Sequence, residues 1–190
     1  MEPEKLLSAL HLAEKLKDVR RHCTTSQGRP ESVAEHSWRI ALMAFWMKDE
    51  FPDVDIDKVI RMCLIHDLGE CFIGDIPTFA KTDADEAREE AELMAWVRSL
   101  PEPVSGEMEA LYREMIALET PEAKLYKAMD KLEAIVQHNE SDIATWEPHE
   151  YQLNMTYADD AVAWSPVLRE LREAIRKDTK AKIAAAEQQA

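Results

Sequence analysis

Apolar residues return every three or four positions in one run after another of this chain, and only four glycines interrupt its 190 residues. That spacing gathers apolar side chains on one face of a helix. The expected fold class is therefore all-α. The length suits a single domain over 1–190 with a substantial core. The first helix is expected over 4–20, with Leu6, Leu7, Leu10, Ala13, Leu16 and Val19 on its inner face. A polar loop follows at 21–30. Further helices are expected from Ser32, over about 55–68, 83–99 and 105–118, and from Pro121 to about 140. A short helix is expected after Glu147-Pro148, and the last over 163–187. The tryptophans 38, 46, 96, 146 and 164 read as core or interface residues.

Charge narrows the partners. The chain carries a net charge of −15. Such a surface repels nucleic-acid polymers and anionic membranes. A small anion is still acceptable where a metal and local cations outweigh the global field. Cys23, Cys63 and Cys71 form no C-x-x-C pair and are odd in number, as expected of reduced thiols in a cytoplasmic protein. The acidic start, Met1-Glu2-Pro3-Glu4-Lys5, lacks the apolar core of a signal segment, and no stretch has the apolar length of a membrane span.

Chemistry is concentrated in Cys63-Leu64-Ile65-His66-Asp67-Leu68-Gly69-Glu70. The apolar stripe Ile56, Val59, Ile60, Cys63 runs into Asp67 and Glu70, so a core-facing stripe ends in carboxylates. A carboxylate is costly to bury unless a cation or several donors meet it. His66 beside it offers a neutral nitrogen ligand. His36 heads the stripe His36, Ile40, Met43, Ala44, Met47 and faces inward, and Asp130 sits between Met129 and Leu132 inside a long helix. Ser32-Val33-Ala34-Glu35 fits a capping box, which gives Glu35 a structural role. The acidic start of the 83–99 helix reads as a solvated face.

Taken with Arg21, Glu31-Ser32-Val33-Ala34-Glu35-His36-Ser37, His66-Asp67-Leu68-Gly69-Glu70, Gly74-Asp75-Ile76-Pro77 and Lys127-Ala128-Met129-Asp130-Lys131-Leu132-Glu133, the chain resembles the HD-domain superfamily of metal-dependent phosphohydrolases. Within it, the resemblance is closest to the small 5′-deoxynucleotidases. It implies an HD-domain helical bundle with its metal-site core over 32–140 and helices 148–187 packed on it. It implies that His36, His66, Asp67 and Asp130 hold one divalent cation. Two imidazoles and two carboxylates suit Mn, Co, Fe, Zn or Mg. The remaining histidines, His11, His22, His138 and His149, show no evident pairing for a second metal.

The resemblance also assigns roles. Glu70 handles protons, Arg21 grips the substrate phosphate, and Asp75 lies near the sugar, where it favours deoxyribose. A tryptophan often follows that arginine in the family, beside the nucleoside; here the position is His22. The expected reaction is hydrolysis of a nucleoside 5′-monophosphate, most often a deoxynucleotide, by a protein that is commonly a homodimer. The alternatives are another HD phosphohydrolase (a phosphodiesterase or guanosine alarmone hydrolase) and a non-catalytic metal-binding scaffold.

Overall fold

The computed structural model describes residues 1–77 and 80–188, and these form an all-α architecture with one small hairpin. Helix α1 spans Pro3–Ala13 and tightens into a 3₁₀ turn, Glu14–Lys17. Strands β1, Arg20–Thr24, and β2, Pro30–Ser32, pair antiparallel. Then come α2, Val33–Trp46, and α3, Ile56–Ile65. The one-turn α4 covers Glu70–Ile73, followed by α5, Asp83–Ser99, and α6, Val104–Ala117. The long α7 runs Pro121–Glu140. Two short helices, α8, Glu150–Thr156, and α9, Asp159–Val162, lead into α10, Pro166–Glu187. No helix among the described residues is long and apolar enough to cross a membrane.

The core lies where α2, α3 and α7 meet. Ile40 from α2, Val59 and Met62 from α3, and Leu125, Met129 and Leu132 from α7 are all fully buried. Local chemistry sets the helix starts. Ser32 accepts from the Glu35 amide while the Glu35 carboxylate accepts from the Ser32 amide, so the expected capping box forms. Thr120 caps α7 through the Ala123 amide, with Pro121 at the first helical position. Replacing Ser32 by alanine removes one of the reciprocal bonds at the helix that carries His36. The expected cost is about 1 kcal/mol, read as a lower midpoint in urea denaturation at unchanged slope.

Four expectations need correction. The first helix stops at Ala13, and Leu6, Leu7 and Leu10 are 48–54% exposed rather than inward. Their periodicity is real, but a stripe only makes a face apolar; it does not supply a neighbour to cover it. Residues 21–30 are not a plain loop, because β1 and the start of β2 fall there. The 55–68 helix ends at Ile65, and residues 66–69 turn through bonds from Leu68 N–H to Ile65 O and from Glu70 N–H to Asp67 O. The last helix starts at Pro166 rather than 163, where Ser165 caps it. Of the tryptophans read as core or interface, Trp146 is buried while Trp38 and Trp46 are outward, at 61% and 71% exposure.

Candidate metal centre and substrate cavity

The turn after α3 aims its side chains because its backbone is tied down. The Tyr112 hydroxyl donates to Ile65 O at 2.5 Å, which satisfies a carbonyl at the helix end. Gly69 lies under α5 so closely that a Cβ there would meet Glu89 Cγ at 2.6 Å. Gly74, at φ +82°, then turns the chain away after Glu70.

His36, His66 and Asp67 converge. Each offers one ligand atom, and these atoms all lie within 4.8 Å of one another. The two imidazoles are oriented alike. The His66 Nδ1–H donates to Cys63 O at 3.0 Å, and the His36 Nδ1–H donates to the Glu133 carboxylate. Both Nε2 atoms therefore face the common centre, where that of His36 is hydrogen-bonded to Asp130 Oδ1 at 3.1 Å. His66 Nε2 is buried with no hydrogen-bond partner among the described residues, 2.9 Å from an Asp67 oxygen. Asp130 Oδ1 stands 3.1 Å from His36 Nε2 and 3.8 Å from His66 Nε2, and its other oxygen accepts from Lys127 at 2.7 Å. Asp130 thus touches the group from α7 but lies outside its mutual 4.8 Å spacing.

This donor set fits a divalent cation. Imidazoles fixed through Nδ1 by a carboxylate and a backbone carbonyl are the supporting pattern of metal-binding histidines. An orphaned buried ring nitrogen facing a carboxylate is what such an ion would satisfy. The electrostatics agree. Burial opposes ionisation of Asp67, yet the charges of His66 and His36 bring its carboxyl down to about 2. Burial also opposes ionisation of Asp130, and Lys127 with the two imidazoles holds it well below the usual carboxylate range.

A cavity of about 370 Å³ opens beside this centre. Arg21, His22, Asp67, Glu70, Asp75 and Asp130 all line it, so the expected site residues other than the buried imidazoles share one space. Arg21 Nε lies 3.1 Å from a Glu31 oxygen but without the alignment of a hydrogen bond. Lys81, Lys127 and Lys131 also line the cavity, paired with Glu89, Asp130 and Asp160 respectively. Glu70 is buried and one of its oxygens has no partner among the described residues. In the metal-free protein, burial and the charges of Asp67, Asp75 and Glu89 push its carboxyl up to about 10, favouring the protonated form. Burial raises Asp75 as well.

Sequence reasoning missed several groups here. Glu133 is fully buried and orients His36. Its position three residues after Asp130 was the available signal. His22 and His138, read as unpaired, both approach Glu150 Oε1, at 3.3 and 3.6 Å. No local pattern links residues so far apart in the chain.

Comparison with known proteins agrees with this geometry. The family model described as HD domain matches residues 13–172. The 5′-deoxynucleotidase HDDC2 of Homo sapiens is 34% identical over 151 residues, covering 77% of this chain and 73% of that one. A structure described as a predicted metal-dependent phosphohydrolase from Magnetospirillum magnetotacticum MS-1 superposes with a TM-score of 0.79 at 30% identity, over 94% of this chain and 93% of the other. The cyanophage S-2L HD phosphohydrolase DatZ, bound to dA and one catalytic zinc ion, shares the fold at a TM-score of 0.58 and 20% identity, covering 92% and 96%.

Proposed function

Because the chain belongs to the HD-domain family, we propose that it is a metal-dependent phosphomonoester hydrolase acting on nucleoside 5′-monophosphates, deoxynucleotides foremost, releasing nucleoside and phosphate. One observation carries the reading: two buried imidazoles, each fixed through Nδ1, turn Nε2 toward Asp67 (His66) and Asp130 (His36) at the wall of a cavity that Arg21 also lines. His36, His66, Asp67 and Asp130 would hold one divalent ion, and among Mn, Co, Fe, Zn and Mg the donor set favours no single one. Such an ion supplies Lewis-acid activation of water and of the phosphoryl group.

The chain's own residues do the rest. Arg21 binds the phosphate oxygens with a planar, permanently charged fork. Its guanidinium is held in its charged form by Glu31, Glu133 and Asp67, even against its burial. Burial and the charges of Asp67, Asp75 and Glu89 favour the protonated form of Glu70, which suits it to give its proton to the 5′-oxygen as the P–O bond breaks and the water oxygen bonds to phosphorus. Asp75, across the same cavity, accepts from the 3′-hydroxyl and crowds a 2′-hydroxyl. The homodimer expected of such a protein is supported by the exposed apolar faces of α1 and α2, at Leu6, Leu7, Leu10, Trp38, Phe45 and Trp46.

The test is phosphate release from 5′-deoxy, 5′-ribo and 3′-nucleotides, using protein stripped with chelator and reloaded with each metal. The expected outcome is metal-dependent turnover of 5′-deoxynucleotides that Asp67→Ala abolishes. Folded wild-type protein that binds metal and releases phosphate from none of them would overturn the assignment.

A further inference from the structure

The centre and Arg21 account for the phosphate end of the proposed substrate. The same cavity continues to a second group of side chains where β1, α7 and α8 meet: His22, His138, Glu150, Leu153, Asn154 and Tyr157. Most of its polar atoms are already paired. Glu150 Oε1 lies between the two imidazole Nε2 atoms, and Glu150 Oε2 accepts from the Glu147 amide at 2.7 Å. Trp146 packs edge-on against the His138 ring, 5.9 Å between centroids, and donates its Nε1–H to His138 O at 3.0 Å.

Asn154 differs. Its residue is 3% exposed, it lines the cavity, and its Nδ2 is buried with no hydrogen-bond partner among the described residues. A buried donor left unmade costs free energy that a ligand acceptor would recover. The position is also rigid. Arg172, itself fully buried, donates from Nη2 to Asn154 O at 3.0 Å and from Nε to Tyr157 O at 2.9 Å, fixing the end of α8 against α10. Leu153 and Tyr157 beside it provide apolar and aromatic surface suited to a flat ring.

We propose that this end of the cavity is a nucleobase subsite in which the Asn154 amide donates to a ring or carbonyl acceptor on the base edge. The inference rests on the nucleotidase reading and adds to it the part of the substrate that is read for identity. Asn154 is a specificity residue in this account. It takes no part in proton or phosphoryl transfer.

Deoxyribose 5-phosphate carries the phosphate and sugar but no base, so it serves as the internal reference. The measurement is kcat/KM for the four 5′-deoxynucleotides and for deoxyribose 5-phosphate, in wild type, Asn154→Ala and Asn154→Asp. Wild type should prefer nucleotides over the abasic ester. In both variants the nucleotide-to-abasic ratio should fall about tenfold, carried by KM. The ratio is internal to each preparation, so a variant that folds incompletely is still informative, and the aspartate keeps the size of the side chain while removing the donor. An unchanged ratio in both variants overturns the subsite. A wild-type ratio near one for every base overturns it too, while leaving the phosphatase assignment standing. Turnover of deoxyribose 5-phosphate with no nucleotide accepted overturns the nucleotidase reading itself, and the subsite with it.

Discussion

Replacing Glu70 by glutamine is expected to lower turnover by about 10²-fold or more and yet to stabilise the metal-free protein at alkaline pH. The loss of rate follows from removing the proton that the leaving oxygen needs. The gain in stability follows from where the side chain sits. Glu70 is 8% exposed, faces the charges of Asp67, Asp75 and Glu89, and has an oxygen without a partner among the described residues. Its carboxyl titrates near pH 10 in the folded chain against an ordinary value of 4.5. Folding therefore favours the protonated form. Below about pH 4.5 the group is neutral in both states and costs nothing by its charge. As pH rises from there the unfolded chain gains an ionisation that the folded chain refuses, and stability falls until about pH 10. A neutral isostere escapes this penalty. In chelator, Glu70→Gln should exceed wild type by about 5 kcal/mol at pH 8, and the difference should vanish near pH 4.5. Urea melts at several pH values measure it. A variant no more stable than wild type at pH 8, or one whose advantage grows toward acid, would refute the buried, protonated Glu70. Loading a divalent ion should shrink the advantage, because positive charge beside Glu70 favours its ionised form.

Glu70 also marks how far pattern reading reaches. Its place one turn beyond His66 and Asp67 was legible from spacing, although α3 stops at Ile65 and a tight turn, not a continuing helix, delivers it. The capping box at Ser32 and the Thr120-Pro121 start of α7 were legible because local side-chain chemistry sets helix ends. Those two starts fix the positions of His36 and Asp130 in their helices. The apolar stripe of α1 was misjudged for a different reason. Periodicity reports which face is apolar, and Leu6, Leu7 and Leu10 show that the remaining chain need not cover it. The hairpin escaped notice because strands of five and three residues are too short to display a period. The far end of the cavity was invisible for want of any local signature. Asn154 is a neutral amide on a short helix, and its meaning comes only from being buried in the cavity wall with His138 and Glu150, its Nδ2 without a partner among the described residues.

Glu133 should prove as important to the fold as to the metal. The carboxylate is fully buried between α2 and α7. One oxygen accepts from His36 Nδ1, and the other lies 3.5 Å from Arg39 Nη1. The charge of Arg21 acts on it as well. Burial alone would raise its carboxyl; the hydrogen bond and charge of His36, with Arg21 and Arg39, bring it below the ordinary value instead. Truncation to alanine would strand His36 without an acceptor and leave Arg21 and Arg39 short of countercharge in a closed space. Breaking a buried charge network from one side in this way costs about 3–5 kcal/mol. Glu133→Ala is therefore expected to be the least stable of the variants considered and to fold poorly at 37 °C. Glutamine separates the two roles. Its carbonyl oxygen can still accept from His36, so Glu133→Gln should retain the fold, but the imidazole loses the anionic partner that makes Nε2 a stronger ligand. Metal affinity should fall about 10- to 100-fold, measured by competition with a chelating dye. Michaelis constants at saturating metal should change far less. If the glutamine variant binds metal as tightly as wild type, His36 does not owe its ligand strength to Glu133, and the buried carboxylate serves the packing of α2 on α7 alone.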